Sequence, residues 1–187
     1  MSLVRSFIAV DIDDPDVARR IEDVQREVAR LGLDIKLVER ENLHLTLRFL
    51  GEIPQSRIND VVKALAGVKM NKFQIKLCDV GVFPDMSRPR VLWIGVSQGA
   101  EQLVRLAYVV REAVDKFAEH EEDREFTPHL TIGRIKSGRN VEKLRELVTR
   151  YRGVEFGVVT VDKIKLKKSV LTPRGPIYSD LFVQPLT

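Results

Sequence analysis

The sequence predicts an α+β fold: a pseudo-two-fold duplication in which two antiparallel sheets flank a central cleft, with helices on the outside. Three observations lead there. The order strand, helix, strand, helix, strand occurs twice along the 187 residues. Similar short runs recur at a nearly constant offset: Phe7 to Val10 lies 86 residues before Trp93 to Val96, His44 to Leu47 lies 85 before His129 to Ile132, and Pro89-Arg90 lies 84 before Pro173-Arg174. Finally, the segments starting at Leu43 and Phe73 alternate apolar with polar residues, as strands with one open face do. A period this long excludes a solenoid and implies two lobes facing each other across an approximate two-fold axis.

In the first copy, Val4 to Ile12 reads as a strand, and Asp13, Asp14 and Pro15 supply the cap and first turn of a helix. Val17, Ile21, Val24, Val28 and Leu31 recur at three and four residues, and Gly32 ends that helix. A strand follows from Leu43 to Leu50. Gly51 and Pro54 break it before a second helix with Ile58, Val61, Val62 and Leu65 on its apolar face, and a strand from Phe73 to Val82 completes the set. The second copy runs as a strand from Val91 to Val96, a helix from Ala100 to Phe117, a strand from His129, a helix from Val141 to Tyr151 and a strand from Val158 to Leu166. The acidic stretch Glu119 to Glu125 reads as an exposed loop. With no linker between the copies, residues 1–187 form one bilobal domain.

Composition narrows the functional classes. At 44% hydrophobic residues the chain can bury a core without a metal or disulfide staple. Cys78 is the only cysteine, sits in an alternating run and reads as a buried thiol, so no internal disulfide is possible. There is no membrane-length apolar run and no signal-peptide pattern at the start, which points to a cytoplasmic protein with no membrane partner. Few Asn and Gln beside 31% charged residues fit heat adaptation. Charge is uneven: residues 123–187 carry 13 Lys+Arg against 7 Asp+Glu, whereas residues 1–122 carry 18 against 20. Such asymmetry suits a polyanion such as RNA, although a solvated surface would look the same.

The two His-x-Thr strands carry the chemistry. Side chains on a strand alternate, so Leu43, Leu45, Leu47 and Phe49 should face the core while His44, Thr46 and Arg48 share the open face. His129 and Thr131 pair likewise in the second copy, with Leu130 and Ile132 inward. One such motif would read as an exposed strand histidine; two at matching places in a duplicated chain read as a site. Opening a phosphodiester needs a base for the attacking water and an acid for the leaving oxygen, and imidazole serves either role near neutrality. The threonine hydroxyls can donate to the non-bridging oxygens. A metal site is the competing use of paired histidines, but neither motif holds a carboxylate, no His-x-x-x-His or Cys/His cluster exists, and His120 lies in the acidic loop. No Gly-x-Ser-x-Gly elbow and no glycine-rich nucleotide cradle appears. No metal or other cofactor is therefore expected.

These residues resemble a known family. RSFIAV at 5–10, NLHLTLRFLG at 42–51, FPDMSRPRVLW at 83–93 and TPHLTIGR at 127–134 are similar to the two-histidine phosphoesterase superfamily, and within it to the RNA 2′,3′-cyclic phosphodiesterase branch, also called 2′-5′ RNA ligase. The likeness spans Leu3 to Leu186. It implies a bilobal fold with a central cleft and metal-free hydrolysis of an RNA 2′,3′-cyclic phosphate end to a 2′-phosphate, with His44 protonating the leaving 3′ oxygen and His129 activating water. It also implies reversible ligation of such an end to a 5′-hydroxyl, as in halved tRNA, and no obligate protein partner. Arg134 matches a phosphate-contacting arginine of the family; strict alternation puts it opposite His129 unless the strand ends or bulges near Gly133. Arg48 shares His44's face by parity and could hold a phosphate oxygen in a two-pronged way. Phe7 and Trp93 occupy equivalent places, where core packing competes with base stacking. The reading from another class is a non-catalytic RNA-binding module.

Overall fold

The computed structural model describes residues 2–187. Among the described residues, nine strands and four α-helices follow in order as β1 (Leu3–Asp11), α1 (Pro15–Ala29), β2 (Ile35–Leu37), β3 (His44–Pro54), α2 (Ile58–Ala66), β4 (Phe73–Phe83), β5 (Val91–Val96), α3 (Ala100–Val114), β6 (His129–Ile135), α4 (Leu144–Arg150), β7 (Glu155–Val161), β8 (Lys163–Thr172) and β9 (Gly175–Pro185). The expected helices and strands are present, except that β3 continues through Gly51 to Pro54 and the last expected strand is divided. The helices predicted over 100–117 and 141–151 each include a short 3-10 turn, at Asp115–Phe117 and Val141–Lys143.

All strand pairs are antiparallel. One sheet has the order β3-β1-β8-β9 and the other β2-β6-β5-β4-β7. The expected final strand over 158–166 is in fact two, broken at Asp162, with β7 in one sheet and β8 in the other. This break reveals the symmetry. Gly81 of β4 pairs with Trp93 of the second copy, and Lys167 of β8 pairs with Phe7 of the first. The third strand of each repeat therefore completes the sheet of the other repeat.

Helices lie away from the cleft: α1 packs on β6 and β7, α4 on β4, and α3 against β3, β4 and α2. Asp14 caps α1, its carboxylate accepting from the N–H groups of Asp16 and Val17 at 2.9 and 3.0 Å. Val17, Ile21, Val24 and Val28 of that helix are buried. A single hydrophobic cluster runs through both sheets, from Ile8 and Leu45 to Ile94 and Ile132. No described helix is long and apolar enough to cross a membrane.

Cys78 is buried in β4, and burial pushes its thiol upward. In the acidic stretch, the His120 side chain is exposed, while Glu119 accepts a hydrogen bond from the Glu52 N–H at 2.8 Å and so covers the edge of β3.

Candidate active site

Both sheets carry the same β-bulge, and it decides which side chains reach the cleft. In β3 the register jumps from Thr46↔Ala9 to Arg48↔Ile8, leaving Leu47 without a partner. In β6 it jumps from Thr131↔Trp93 to Gly133↔Leu92, leaving out Ile132, the residue 85 places after Leu47. An extra residue reverses the alternation beyond it. His44, Thr46, His129 and Thr131 precede the bulges and line one cavity of about 350 Å³.

Arg134 follows the second bulge, and it too faces the cavity. Gly133 makes this possible, since a Cβ there would sit 2.8 Å from Ile35 Cδ1 of β2. The expectation for Arg48 fails for the same reason. Past its bulge it turns away from the cleft and is buried, donating through Nε to Asp115 at 2.8 Å and through Nη2 to the His120 carbonyl at 2.9 Å. Phe49 takes the place that Arg134 has in the other copy and is exposed rather than inward, with the Arg5 guanidinium 4.6 Å from its ring centre.

The two imidazoles are held alike. His44 Nδ1 lies 2.7 Å from the Asn42 carbonyl and His129 Nδ1 lies 2.8 Å from the Thr127 carbonyl. A carbonyl only accepts, so each Nδ1 carries the proton and each Nε2 is left free for the cleft. Aromatic rings support them: Phe7 at 5.0 Å and Tyr178 at 5.4 Å from His44, and Phe83 at 5.0 Å from His129. Phe7 is buried, and Trp93 lies over Gly81 and beside Phe83, so both rings pack beneath the site.

Burial pushes both histidines below their ordinary value of 6.5. The carbonyl contacts oppose this; Lys167 and Arg134 push His44 further down, Asp11 pushes it up, and Arg134 pushes His129 down. The net direction favours the neutral form of both rings at neutral pH. Tyr178 is pushed up by burial and remains a phenol able to donate.

Sequence reasoning missed the cavity's outer wall. It consists of β2 with the residues after it, contributing Lys36, Leu37 and Val38, and of the β8–β9 hairpin tip, contributing Arg174, Ile177 and Tyr178. The repeated Pro-Arg pair at 173–174 was a signal for the tip. Part of the C-terminal charge excess also proves internal: Lys167 is buried, donating to both oxygens of Asp11 at 2.8 and 3.0 Å, and Lys165 bridges Asp11 and Asp180. Among the described residues no group of three or more His, Cys, Asp or Glu is gathered so as to hold a metal.

A duplicated α+β fold whose two copies bring their imidazoles into one cavity, Nε2 atoms free, defines a protein with paired histidines at one site. The LigT-like phosphoesterase family matches the chain twice, over residues 10–93 and 94–178, one match for each repeat, and the chain belongs to that family. It is 39% identical over 180 residues to an RNA 2′,3′-cyclic phosphodiesterase of Archaeoglobus fulgidus, covering 96% of this chain and 99% of that protein. It is 42% identical over 182 residues to an RNA 2′,3′-cyclic phosphodiesterase of Aquifex aeolicus, covering 96% and 95%. The crystal structure of TT0787 from Thermus thermophilus is similar with a TM-score of 0.80 at 28% identity, covering 97% of each chain.

Proposed function

We propose that this chain, acting as one bilobal unit, hydrolyses the 2′,3′-cyclic phosphate at an RNA end to a 2′-phosphate without a metal. The observation that carries this reading is the pair of unprotonated Nε2 atoms in one cavity that also holds two threonine hydroxyls and the Arg134 guanidinium. The names of the A. fulgidus and A. aeolicus relatives point to the same substrate.

In this mechanism the cyclic phosphate lies between the imidazoles. Its negative charge favours an imidazolium beside it, so one ring takes up a proton as the anion enters. His129 Nε2 accepts the proton of the attacking water as the water oxygen bonds to phosphorus. The bond from phosphorus to the 3′ oxygen breaks, and His44 Nε2–H protonates that oxygen. The products are a 3′-hydroxyl and a 2′-phosphomonoester. Thr46, Thr131 and Arg134 donate to the non-bridging oxygens, where charge is held in the transition state. RNA ends are the proposed partner.

The test is turnover of an oligonucleotide ending in a 2′,3′-cyclic phosphate, with the product's phosphate position read by ³¹P NMR. His44→Ala and His129→Ala should each lower kcat by roughly 10²–10⁴-fold while the protein stays folded, and EDTA should leave the wild-type rate unchanged. Near-full activity in both variants would end the paired-histidine mechanism. RNA retention with no turnover in the wild-type protein would favour a binding module instead.

A further inference from the structure

We propose that Lys36 and Arg174 form a second phosphate site, which holds the phosphodiester preceding the terminal nucleotide and makes the enzyme selective for single-stranded RNA ends over free nucleoside 2′,3′-cyclic phosphates. The inference rests on the cyclic phosphodiesterase reading of the central site and extends it to the body of the substrate.

The first support is an unfavourable pairing. Lys36 of β2 and Arg134 of β6 are direct cross-strand partners. Directly opposed residues point to the same side of a sheet, and like charges so placed destabilise it. Their neighbours fix the side: the Gly133 Cα faces Ile35 and Leu37, so Lys36 and Arg134 both turn to the cavity. Lys36 has only a loose contact with Glu39, at 3.9 Å, and Arg134 has no carboxylate partner among the described residues. Two cations held side by side with so little compensation suit a polyanion passing over both.

The second support is the cavity's shape. Its volume of about 350 Å³ is roughly ten times the ~30 Å³ share of one liquid water, well beyond what a single phosphate group fills. The pseudo-symmetry would allow both repeats to extend it alike, yet beyond the histidine strands and Asn42 the lining comes only from β2 with the residues after it and from the β8–β9 hairpin. That tip reaches across to β2: a Cβ on Gly175 would lie 3.5 Å from Lys36 Cε. Arg174, next in the chain, is exposed and lines the same wall, and its backbone N–H donates to Thr172 Oγ1 within the turn. Tyr178, 5.4 Å from the His44 ring, and Ile177, 61% exposed, add to the same cavity an apolar surface for the terminal nucleoside. The wall therefore sets Lys36 next to Arg134, with Arg174 at the tip that reaches Lys36, and an apolar surface beside these cations: places for phosphates and for a nucleoside in one cavity.

The experiment compares a nucleoside 2′,3′-cyclic phosphate with a trinucleotide ending in the same nucleoside and cyclic phosphate, using the wild-type protein and Lys36→Ala/Arg174→Ala. The double variant should lose at least tenfold more kcat/KM on the trinucleotide than on the mononucleotide, mainly through KM. Its slope of log kcat/KM against log salt on the trinucleotide should flatten by about 0.7, the contribution of one released single-strand phosphate. Equal losses on both substrates, or none on the trinucleotide, would overturn the second site while leaving the central reading intact. A wild-type protein that turns over neither substrate would remove both.

Discussion

At the residue scale the two histidines link chemistry to stability. Each is folded into a place where burial favours the neutral ring, so below 6.5 the unfolded chain takes up protons that the native state resists. More protons bound when unfolded means that stability rises with pH, and falls as pH drops through this window. The lowered carboxylates, among them Asp11 and Glu27, begin from ordinary values of 3.8 and 4.5 and contribute only at more acid pH. Between about pH 6.5 and 5 the unfolding midpoint should therefore drop, and the double variant His44→Gln/His129→Gln should show a clearly flatter dependence there. Urea denaturation across that range checks it; an unchanged slope in the variant would mean that the rings are not buried as neutral groups. Read from sequence, these residues were plain because an imidazole and a hydroxyl two places apart on a strand must share a face. Arg134 was reachable through the family likeness and the glycine before it; Arg48 was not, since a side chain's face beyond a bulge depends on one unpaired residue that no local pattern marks there.

At the element scale the bulge itself needs support. An unpaired residue removes ladder hydrogen bonds, and buried carbonyls without partners cost about 1–3 kcal/mol each. In β6 the Ile132 carbonyl accepts from the Val38 N–H at 3.0 Å and from Gln25 Nε2 at 3.0 Å, and the same amide donates to the Val38 carbonyl at 2.8 Å. Gln25 is a buried polar residue on the inner face of α1. One helix side chain thus joins the bulge to the segment that follows β2 and so positions Arg134. Gln25→Leu keeps the volume but strips the Val38 carbonyl of this partner and the bulge of one support. It should cost about 1–3 kcal/mol in chemical denaturation and lower kcat/KM on a cyclic-phosphate substrate at least tenfold, with activity lost beyond what the stability change explains. Wild-type turnover in a destabilised protein would show that the bulge stands without the amide. Strands such as β3 and β5 were legible because their alternation or apolar run is long enough to register. β2 has only three residues, and β9 begins with Gly175-Pro176 and is largely exposed, so neither carries a periodic pattern to read.

At the scale of the whole molecule the duplication is not two modules joined end to end. β4 of the first repeat lies between β5 and β7 of the second, and β8 of the second repeat pairs with β1 of the first. Neither repeat can close its own sheet, because the strand that would do so is built into the other. Sequence offsets revealed the repetition but not this exchange, which depends on the break at Asp162 and on pairings remote along the chain. The same exchange sets the histidines against each other, since each is carried on a sheet that its own repeat does not complete. Unfolding should follow as one event. Calorimetry of the full chain should give a single transition with calorimetric and van't Hoff enthalpies equal, near 130 kcal/mol if it falls at about 60 °C, from ~0.7 kcal/mol per residue over 187 residues. Two halves melting independently would each contribute about half of that, and the van't Hoff value would fall to roughly half the calorimetric one. A ratio of that kind, or two resolved peaks, would show that the exchanged strands do not couple the lobes. On the proposed reading, inorganic phosphate would lie between the histidines and touch both sheets at once, so it should raise the single midpoint without splitting it.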